Sequence, residues 1–336
     1  MYQTVPGCKM VNMKIIVLND PLLPGALTEA NMEKIKKTAA SVGARVCFAK
    51  DEQAVPAGFA DAEVVYGYGT HIAATSRDLK WLCVPSAGVD FMMRPDAFAN
   101  KDCILTNSSG SYGVSIAEHI IAVSLMMMRC LTDFHAETLN GQWGSRRAQR
   151  SLKDSRITAL GAGDIGGSFA KRVKAFEPKQ LTGISHSGKS SEPSFDRVMK
   201  TGLLDTILPE TDLLVMSLPD TPETRGILSR KRMELLPEGA YIVNVGRGSA
   251  IDEDALADLL DSGHLAGAAL DVFQTEPLPE DSRLWKTKNL LITPHVAGNL
   301  TVEHTLNKNV EMFCEDLVHY AKGEPLTYRV DREKGY

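Results

Sequence analysis

The chain has 336 residues, 43% of them hydrophobic and 24% charged, with a net charge of -5 and an isoelectric point near 5.9. That length favours two domains, each with its own core, and the composition is that of an ordinary soluble globular protein. An acidic balance with dispersed Lys and Arg, the one small cluster being Arg146, Arg147 and Arg150, argues against nucleic acid or an anionic membrane as a main partner.

The longest apolar runs, such as Ile120–Met128, are too short to cross a bilayer. The opening MYQTVPGCKMVNMKIIVLND lacks the charged-then-apolar order of a signal peptide. Met13, just before the first expected strand, is an alternative start. The six cysteines (8, 47, 83, 103, 130 and 314) form no CxxC pair and have no His at metal-ligand spacing. They read as buried thiols of a reducing compartment with no metal site, so the cytoplasm is the expected location.

Strands are expected at Lys14–Leu18, Arg45–Ala49, Glu63–Tyr66, Lys80–Val84 and Cys103–Thr106, with helical stretches such as Thr28–Val42 between them. Ser111–Arg129 reads as a helix that is apolar nearly all round, hence buried between domains or subunits, with Ser115 and Glu118 spaced as a capping box. A second series follows at Ile157–Leu160, Leu181–Ile184, Leu213–Leu218, Tyr241–Val245, Ala268–Val272 and Leu290–Thr293. Most are continuous apolar runs, as in strands buried on both faces. Alternation of this kind predicts two parallel α/β sheets. The tail, Val302–Ala321, reads as an amphipathic helix that returns to the first domain and makes it discontinuous.

The second series opens on RITALGAGDIGGSFAKRVKAF (Arg156–Phe176), a short strand, a Gly161-x-Gly163-x-x-Gly166 turn, and a helix with Ile165, Phe169, Ala170, Val173 and Phe176 on one stripe. Gly161 suits the tight turn, Gly163 a close backbone approach to a pyrophosphate, and Gly166 the packing of helix on strand. The amides and positive dipole end of that helix are suited to phosphates.

Three polar residues each follow an apolar strand, at the carboxyl edge where such sheets bind ligands. They are Arg247 in YIVNVGRG, Glu276 in ALDVFQTEP and His295 in LLITPH. A guanidinium grips a carboxylate bidentately. An imidazole passes a proton to or from an alcohol, and a neighbouring carboxylate orients the ring and favours its charged form. With a nicotinamide, this set suits reversible hydride transfer between a 2-oxo acid and a 2-hydroxy acid. Singly, they read as a surface ion pair, a solvated loop charge and a capping histidine. Their shared placement behind a dinucleotide fold selects them.

The chain resembles the D-isomer-specific 2-hydroxyacid dehydrogenase family over essentially its whole length. The matching motifs are SAGVD (Ser86–Asp90), AEHIIAVSLMMMR (Ala117–Arg129), GAGDIG (Gly161–Gly166), SLPDTPETRG (Ser217–Gly226), NVGRG (Asn244–Gly248), ALDVFQTEP (Ala269–Pro277) and TPHVAG (Thr293–Gly298). The resemblance implies an α/β chain of two doubly wound parallel-sheet domains. A Rossmann dinucleotide-binding domain, 113–302, is inserted in a flavodoxin-like substrate domain, 1–112 and 303–336. It implies that Arg247 binds the substrate carboxylate and carbonyl, that His295 is the acid/base and that Glu276 is its partner. It brings Gly69, Ala87 and Gly88 to the substrate, the latter two through backbone amides. It puts Asp164 and Ile165 on the pyrophosphate, Leu218, Pro219, Thr224, Val245, Gly246 and Gly298 by the cofactor, and Asp271 on the nicotinamide amide. A homodimer built around Ser115–Arg129 is implied as well.

Two departures stand out. The strand Leu181–Ile184 ends in Ser185-His186-Ser187-Gly188-Lys189, without the carboxylate that normally takes the ribose hydroxyls of NAD. Hydroxyls, His186 and Lys189 suit a 2′-phosphate, so NADP is expected in preference to NAD, while a neutral loop that tolerates either stays open. Phe176-Glu177-Pro178 stands where relatives carry a glycine turn. The expected substrate is a small acid such as glyoxylate, hydroxypyruvate or a branched 2-oxo acid, with Tyr66–His71, Ser86–Met93 and Trp143 setting the side-chain preference. Tyr68, Phe91, Met92 and Met93 read either as an apolar pocket wall or as core. A 3-phosphoglycerate dehydrogenase is the nearest alternative; it needs phosphate-binding cations such as Arg94, Arg146 or Arg147, and the chain is short for an appended regulatory domain. A formate dehydrogenase is disfavoured, since that resemblance carries Gln beside His. A non-catalytic NAD(H)-sensing binder of the same fold is the alternative of another class.

Overall fold

The structure, a computed structural model, describes residues 13–335. Cys8, and with it the question of which methionine starts the chain, lies outside the described residues. The chain divides into two compact units, one of residues 1–111 with 299–336 and one of residues 112–298.

In the first unit β1 (Lys14–Leu18), α1 (Glu29–Ser41), β2 (Arg45–Ala49), β3 (Val64–Tyr66), α2 (Thr70–Thr75), β4 (Trp81–Cys83) and β5 (Ile104–Thr106) build a five-stranded sheet. Its order is β2-β1-β3-β4-β5 and every pairing is parallel, the flavodoxin-type arrangement. In α1, Thr28 Oγ1 accepts from the Asn31 amide at 3.2 Å while Asn31 Oδ1 accepts from the Thr28 amide at 3.1 Å. This reciprocal cap satisfies two donors that the helix leaves open.

The second unit opens with α3 (Gly113–Met128) and α4 (Leu131–Leu139), bent by 70° at Cys130, whose φ is 55°. It continues as β6 (Arg156–Leu160), α5 (Asp164–Val173), β7 (Gln180–Ser185), β8 (Arg197–Lys200), α6 (Leu204–Ile207), β9 (Leu213–Met216), α7 (Arg230–Met233), β10 (Ala240–Asn244), α8 (Glu253–Asp261), β11 (Leu265–Leu270) and β12 (Leu290–Ile292). The seven strands lie parallel in the order β12-β11-β10-β9-β6-β7-β8. The order reverses between β6 and β9, the switch point at which doubly wound sheets bind dinucleotides. The central strands are buried throughout, as in a sheet covered on both faces.

The chain then returns to the first unit in α9 (Glu303–Lys322), which lays Phe313 against Tyr66 and Trp81, with ring centroids 4.6 and 5.4 Å apart. Its buried Asn309 accepts from Tyr66 Oη and donates to the Pro85 carbonyl, both at 2.8 Å. Among the described residues no single helix is long and apolar enough to cross a membrane.

Several expectations are corrected. Ser115 lies inside α3 and donates to the Tyr112 carbonyl, so Ser115 and Glu118 form no capping box; the N-cap position is Tyr112, whose side chain does not cap the helix. α3 is not covered all round: Glu118 and Ala122 are exposed, and Ile121, Leu125, Met126 and Met127 are half-buried. β8 was not expected from the sequence: RVMK is an edge strand with no fully buried residue, so it has no apolar run to announce it. Phe176 leaves the apolar stripe for a 3₁₀ turn and is 37% exposed. Cys83, Cys103 and Cys314 are buried thiols, but Cys47 and Cys130 are only half-buried. Glu177 adopts φ 55°, the left-handed conformation that a glycine turn would supply.

Candidate active site

The turn after β6 is built around missing side chains. Gly161 has φ 112°, and a Cβ on Gly166 would sit 1.8 Å from the Gly161 carbonyl oxygen, so α5 packs this closely only on bare backbone. Around Gly163 nothing lies within 4 Å of where a Cβ would be, and α5 begins without a side-chain cap. Open backbone followed by uncapped helix amides fits a dinucleotide pyrophosphate. Asp164 and Ile165 occupy the first turn of α5. The Asp164 carboxylate faces Gly113 on α3, which leaves backbone as what this position offers a phosphate.

β7 ends at Ser185, whose Oγ accepts from the Lys189 amide at 3.1 Å and donates to its carbonyl at 2.8 Å. The loop so closed displays His186, Ser187 and Lys189 to solvent. Gly188, at φ 70°, packs against the Lys200 stem. The strand end carries no carboxylate, yet Glu223 from the loop after β9 lies near enough to be felt. Its carboxyl is held below the usual range by its own amide, by the Thr221 hydroxyl and by nearby His186. Glu223 was not foreseen, because it belongs to a loop far away in sequence. In that same loop Thr224 Oγ1 donates to the Pro219 carbonyl at 2.6 Å and accepts from the Thr221 amide at 2.9 Å, so its hydroxyl serves the loop; Leu218 is half-buried beside it.

Arg247, Glu276 and His295 follow β10, β11 and β12, three neighbouring strands, at their carboxyl ends. Arg247 is set by its neighbours. A Cβ on Gly246 would meet the Leu218 backbone at 2.6 Å and one on Gly248 would meet the Phe273 carbonyl carbon at 1.9 Å, so adjacent loops touch backbone to backbone. Fully buried Asn244 accepts from the Gly246 amide at 3.1 Å and donates to the Arg247 carbonyl at 3.0 Å, clamping the turn while Val245 fills the core. Asn244 is the positioning residue that the sequence reading missed, although a buried Asn closing an apolar strand is a legible signal. Arg247 Nη1 donates to the Gly246 carbonyl at 2.8 Å. Asp220 carries a carboxyl held low first by Arg225, then by Ser249 and the Arg247 charge.

Glu276 uses both oxygens. Oε1 accepts from the Phe273 amide at 2.9 Å and Oε2 lies 2.6 Å from His295 Nδ1. The carboxylate therefore accepts from Nδ1–H and leaves Nε2 of the exposed ring as the nitrogen available for proton transfer. His295 has φ 53°, a conformation that costs a non-glycine residue about 1–3 kcal/mol and needs outside support. Asp271 provides it. Its carbonyl accepts from the His295 amide at 2.8 Å, and its buried carboxylate accepts from Thr293 Oγ1 at 2.6 Å and from the Val296 and Ala297 amides at 2.9 Å. Expected at the nicotinamide amide, Asp271 has both carboxylate oxygens engaged by the turn after β12. Gly298 ends this loop against Tyr112 and Ile116.

In the first unit, Asn107 Nδ2 donates to the Ala87 carbonyl at 2.7 Å and Ser86 Oγ to the Gly88 carbonyl at 2.8 Å. Because a trans peptide opposes its N–H to its C=O, the Gly88 amide points away from Asn107. Gly69 is buried at the N-cap of α2. Tyr68 and Phe91 form an exposed ring pair at 5.9 Å, whereas Met92 is core and Met93 half-buried. Of the cations considered for a phosphate, Arg147 is engaged by Glu137 at 2.7 Å and Arg94 by Asp96 at 3.4 Å.

The chain is similar to proteins of known family and structure. Residues 121–297 match the model of the D-isomer specific 2-hydroxyacid dehydrogenase NAD-binding domain. A curated relative, D-3-phosphoglycerate dehydrogenase of Archaeoglobus fulgidus, is 30% identical over 81% of this chain; the chain spans about half of that relative's length, 49%. A family member of known structure from Aeromonas salmonicida is 29% identical, with a TM-score of 0.83 over 96% of this chain and 100% of its own. An NADPH-dependent glyoxylate/hydroxypyruvate reductase from Sinorhizobium meliloti, solved with NADP and sulfate, is 25% identical, with a TM-score of 0.78 over 97% and 100% of the two chains. Glycine turn, switch-point sheet and matched domain lead to one conclusion: the chain belongs to the D-isomer specific 2-hydroxyacid dehydrogenase family of nicotinamide-dependent oxidoreductases.

Proposed function

We propose that this protein reduces a small 2-oxo acid to the D-2-hydroxy acid, uses NADPH in preference to NADH, and works as a homodimer in the cytoplasm. The carrying observation is the Glu276–His295 pair at 2.6 Å, one strand away from Arg247 at the carboxyl edge of a dinucleotide-binding sheet. Bound nicotinamide supplies the hydride that reduces the carbonyl carbon. Arg247 binds the substrate carboxylate through its planar fork and orients the carbonyl. The His295 imidazolium gives its Nε2 proton to the carbonyl oxygen and becomes neutral. Glu276 keeps the Nδ1–H bond and offsets the ring's charge before that transfer, and in the reverse direction as the ring regains the proton. Asn244 and Asp271 keep the two loops rigid during the transfer.

The cofactor preference is supported by the carboxylate-free strand end at Ser185–Lys189 and by the reductase from Sinorhizobium meliloti, whose name records NADPH dependence. That relative also favours glyoxylate or hydroxypyruvate as the acid. The phosphoglycerate dehydrogenase relative supports a second reading, a phosphorylated 2-oxo acid, against which the pairing of Arg147 and Arg94 with carboxylates counts. Oxidation of NADPH and NADH by the purified protein against glyoxylate, hydroxypyruvate, branched 2-oxo acids and 3-phosphohydroxypyruvate tests the whole reading. Turnover of an unphosphorylated acid, faster with NADPH, is expected. Turnover of the phosphorylated acid alone moves the assignment to the second reading, and silence with tight cofactor binding removes the catalytic one.

A further inference from the structure

His119, in the middle of α3, faces the turn that carries His295. Its Nε2 lies 3.4 Å from Thr293 Oγ1, and that hydroxyl lies 2.6 Å from Asp271 Oδ1. A hydroxyl has one proton, and the short bond to a buried carboxylate takes it. Thr293 thus accepts from His119, which carries its own proton on Nε2. Asp271 passes the connection on to the amides of Val296 and Ala297, the residues next to His295.

We infer that His119 and Thr293 are positioning residues for His295, acting through Asp271 on the 293–297 turn. The inference rests on reading His295 as the acid/base. The chain of donors runs one way, from imidazole to hydroxyl to carboxylate, and the carboxylate also accepts from two backbone amides of the turn. Each bond in such a chain polarises the next, and a buried carboxylate short of one donor is costly. The His295 backbone, at φ 53°, has a strong tendency to relax if Asp271 shifts. A packing role for His119 would require only apolar volume; the half-buried ring instead faces a carboxylate. Burial pushes its pKa down while Asp271 draws it back up.

The test uses the full-length protein with His119→Leu, His119→Gln, Thr293→Val, Thr293→Ser and the double variant H119L/T293V. Misplacement of a catalytic group by an ångström costs up to about 10²-fold, so kcat is expected to fall roughly tenfold in T293V and several-fold in H119L. NADPH affinity should stay within about twofold. T293S and H119Q, which keep the hydroxyl and a donor, should recover most of the rate, and the double variant should be no slower than T293V alone, because both act through one chain. An activity-independent readout is the downfield proton of the His295 Nδ1–Glu276 bond in proton NMR, identified by its loss in E276Q. It should shift in T293V and H119L and hold in T293S. Wild-type kcat and resonance in both T293V and H119L would overturn the inference. So would losses equally large in T293S and H119Q that follow a lowered melting temperature, since they indicate packing alone. If the wild-type protein reduces no acid, the functional reading fails, and the resonance alone decides the positioning claim.

Discussion

The side chains that matter most here are held by bonds to backbone. Glu276 is fixed by the Phe273 amide before it meets His295, and Arg247 stands on a turn tied by Asn244. His295→Ala should therefore lower kcat by about 10²–10⁴-fold, the range for a general acid or base, while NADPH titration stays unchanged; unchanged turnover would dismiss the assignment. Arg247→Lys replaces a fork with a point charge and should cost roughly 10- to 100-fold in kcat/KM, as expected for one charge-assisted bond of about 1.5–3 kcal/mol. Away from the site, Asp212 accepts from the Arg156 amide at 2.8 Å and from its guanidinium at 2.7 and 3.0 Å, joining the starts of β6 and β9. Burial alone would raise this carboxyl, but Arg156 outweighs it and the net shift is downward. A lowered folded value stabilises above the ordinary carboxyl pKa near 3.9 and is lost as pH falls through the folded one. Asp212→Asn should thus cost about 1–2 kcal/mol by urea unfolding at pH 7, allowing for partial exposure. The gap to wild type should close in acid below about pH 4; a gap independent of pH would show that the charge plays no part.

At the level of elements, the loop after β7 carries the cofactor choice. Ser187→Asp places a carboxylate where a 2′-phosphate is proposed to bind and should lower kcat/KM with NADPH about tenfold relative to NADH, the cost of one poorly matched charge. Glu223→Gln, which removes the acid near His186, should move the ratio the other way. Ratios that stay put in both variants would mean that the loop tolerates either cofactor. The predicted core strands matched closely because buried parallel strands are continuous apolar runs, and α1 ended where Thr28 and Val42 suggested. The edge strand β8 and the start of α3 were illegible for the complementary reason. An edge strand has no apolar signature, and the Ser-x-x-Glu spacing in α3 falls one turn inside a helix that tertiary packing begins at Gly113.

On the scale of the whole molecule, α4 and the chain after it leave Leu131, Leu139 and Trp143 exposed at 48%, 75% and 101%. They lie beyond an α3 whose Ile121, Leu125 and Met126 are themselves only half-covered. Large apolar side chains left exposed in this way support the proposed homodimer. Light scattering should return twice the 36.6 kDa chain mass, and L139E/W143E should return one chain mass. A wild-type monomer at micromolar concentration would exclude the proposed homodimer.

What the amino-acid order determined by itself is everything that repeats at short range. Apolar runs mark buried strands, glycine spacing marks the turn at Gly161–Gly166, and polar residues closing apolar strands point to Arg247, Glu276 and His295. Tertiary structure alone decided what depends on partners distant in sequence. His119 meets Thr293 across 174 positions, Asp271 is engaged by a loop more than 20 residues on, and Glu223 approaches His186 from another strand's end. The left-handed backbones of Glu177 and His295 belong to the same class. Local preference opposes them, and only surrounding hydrogen bonds formed on folding hold them in place.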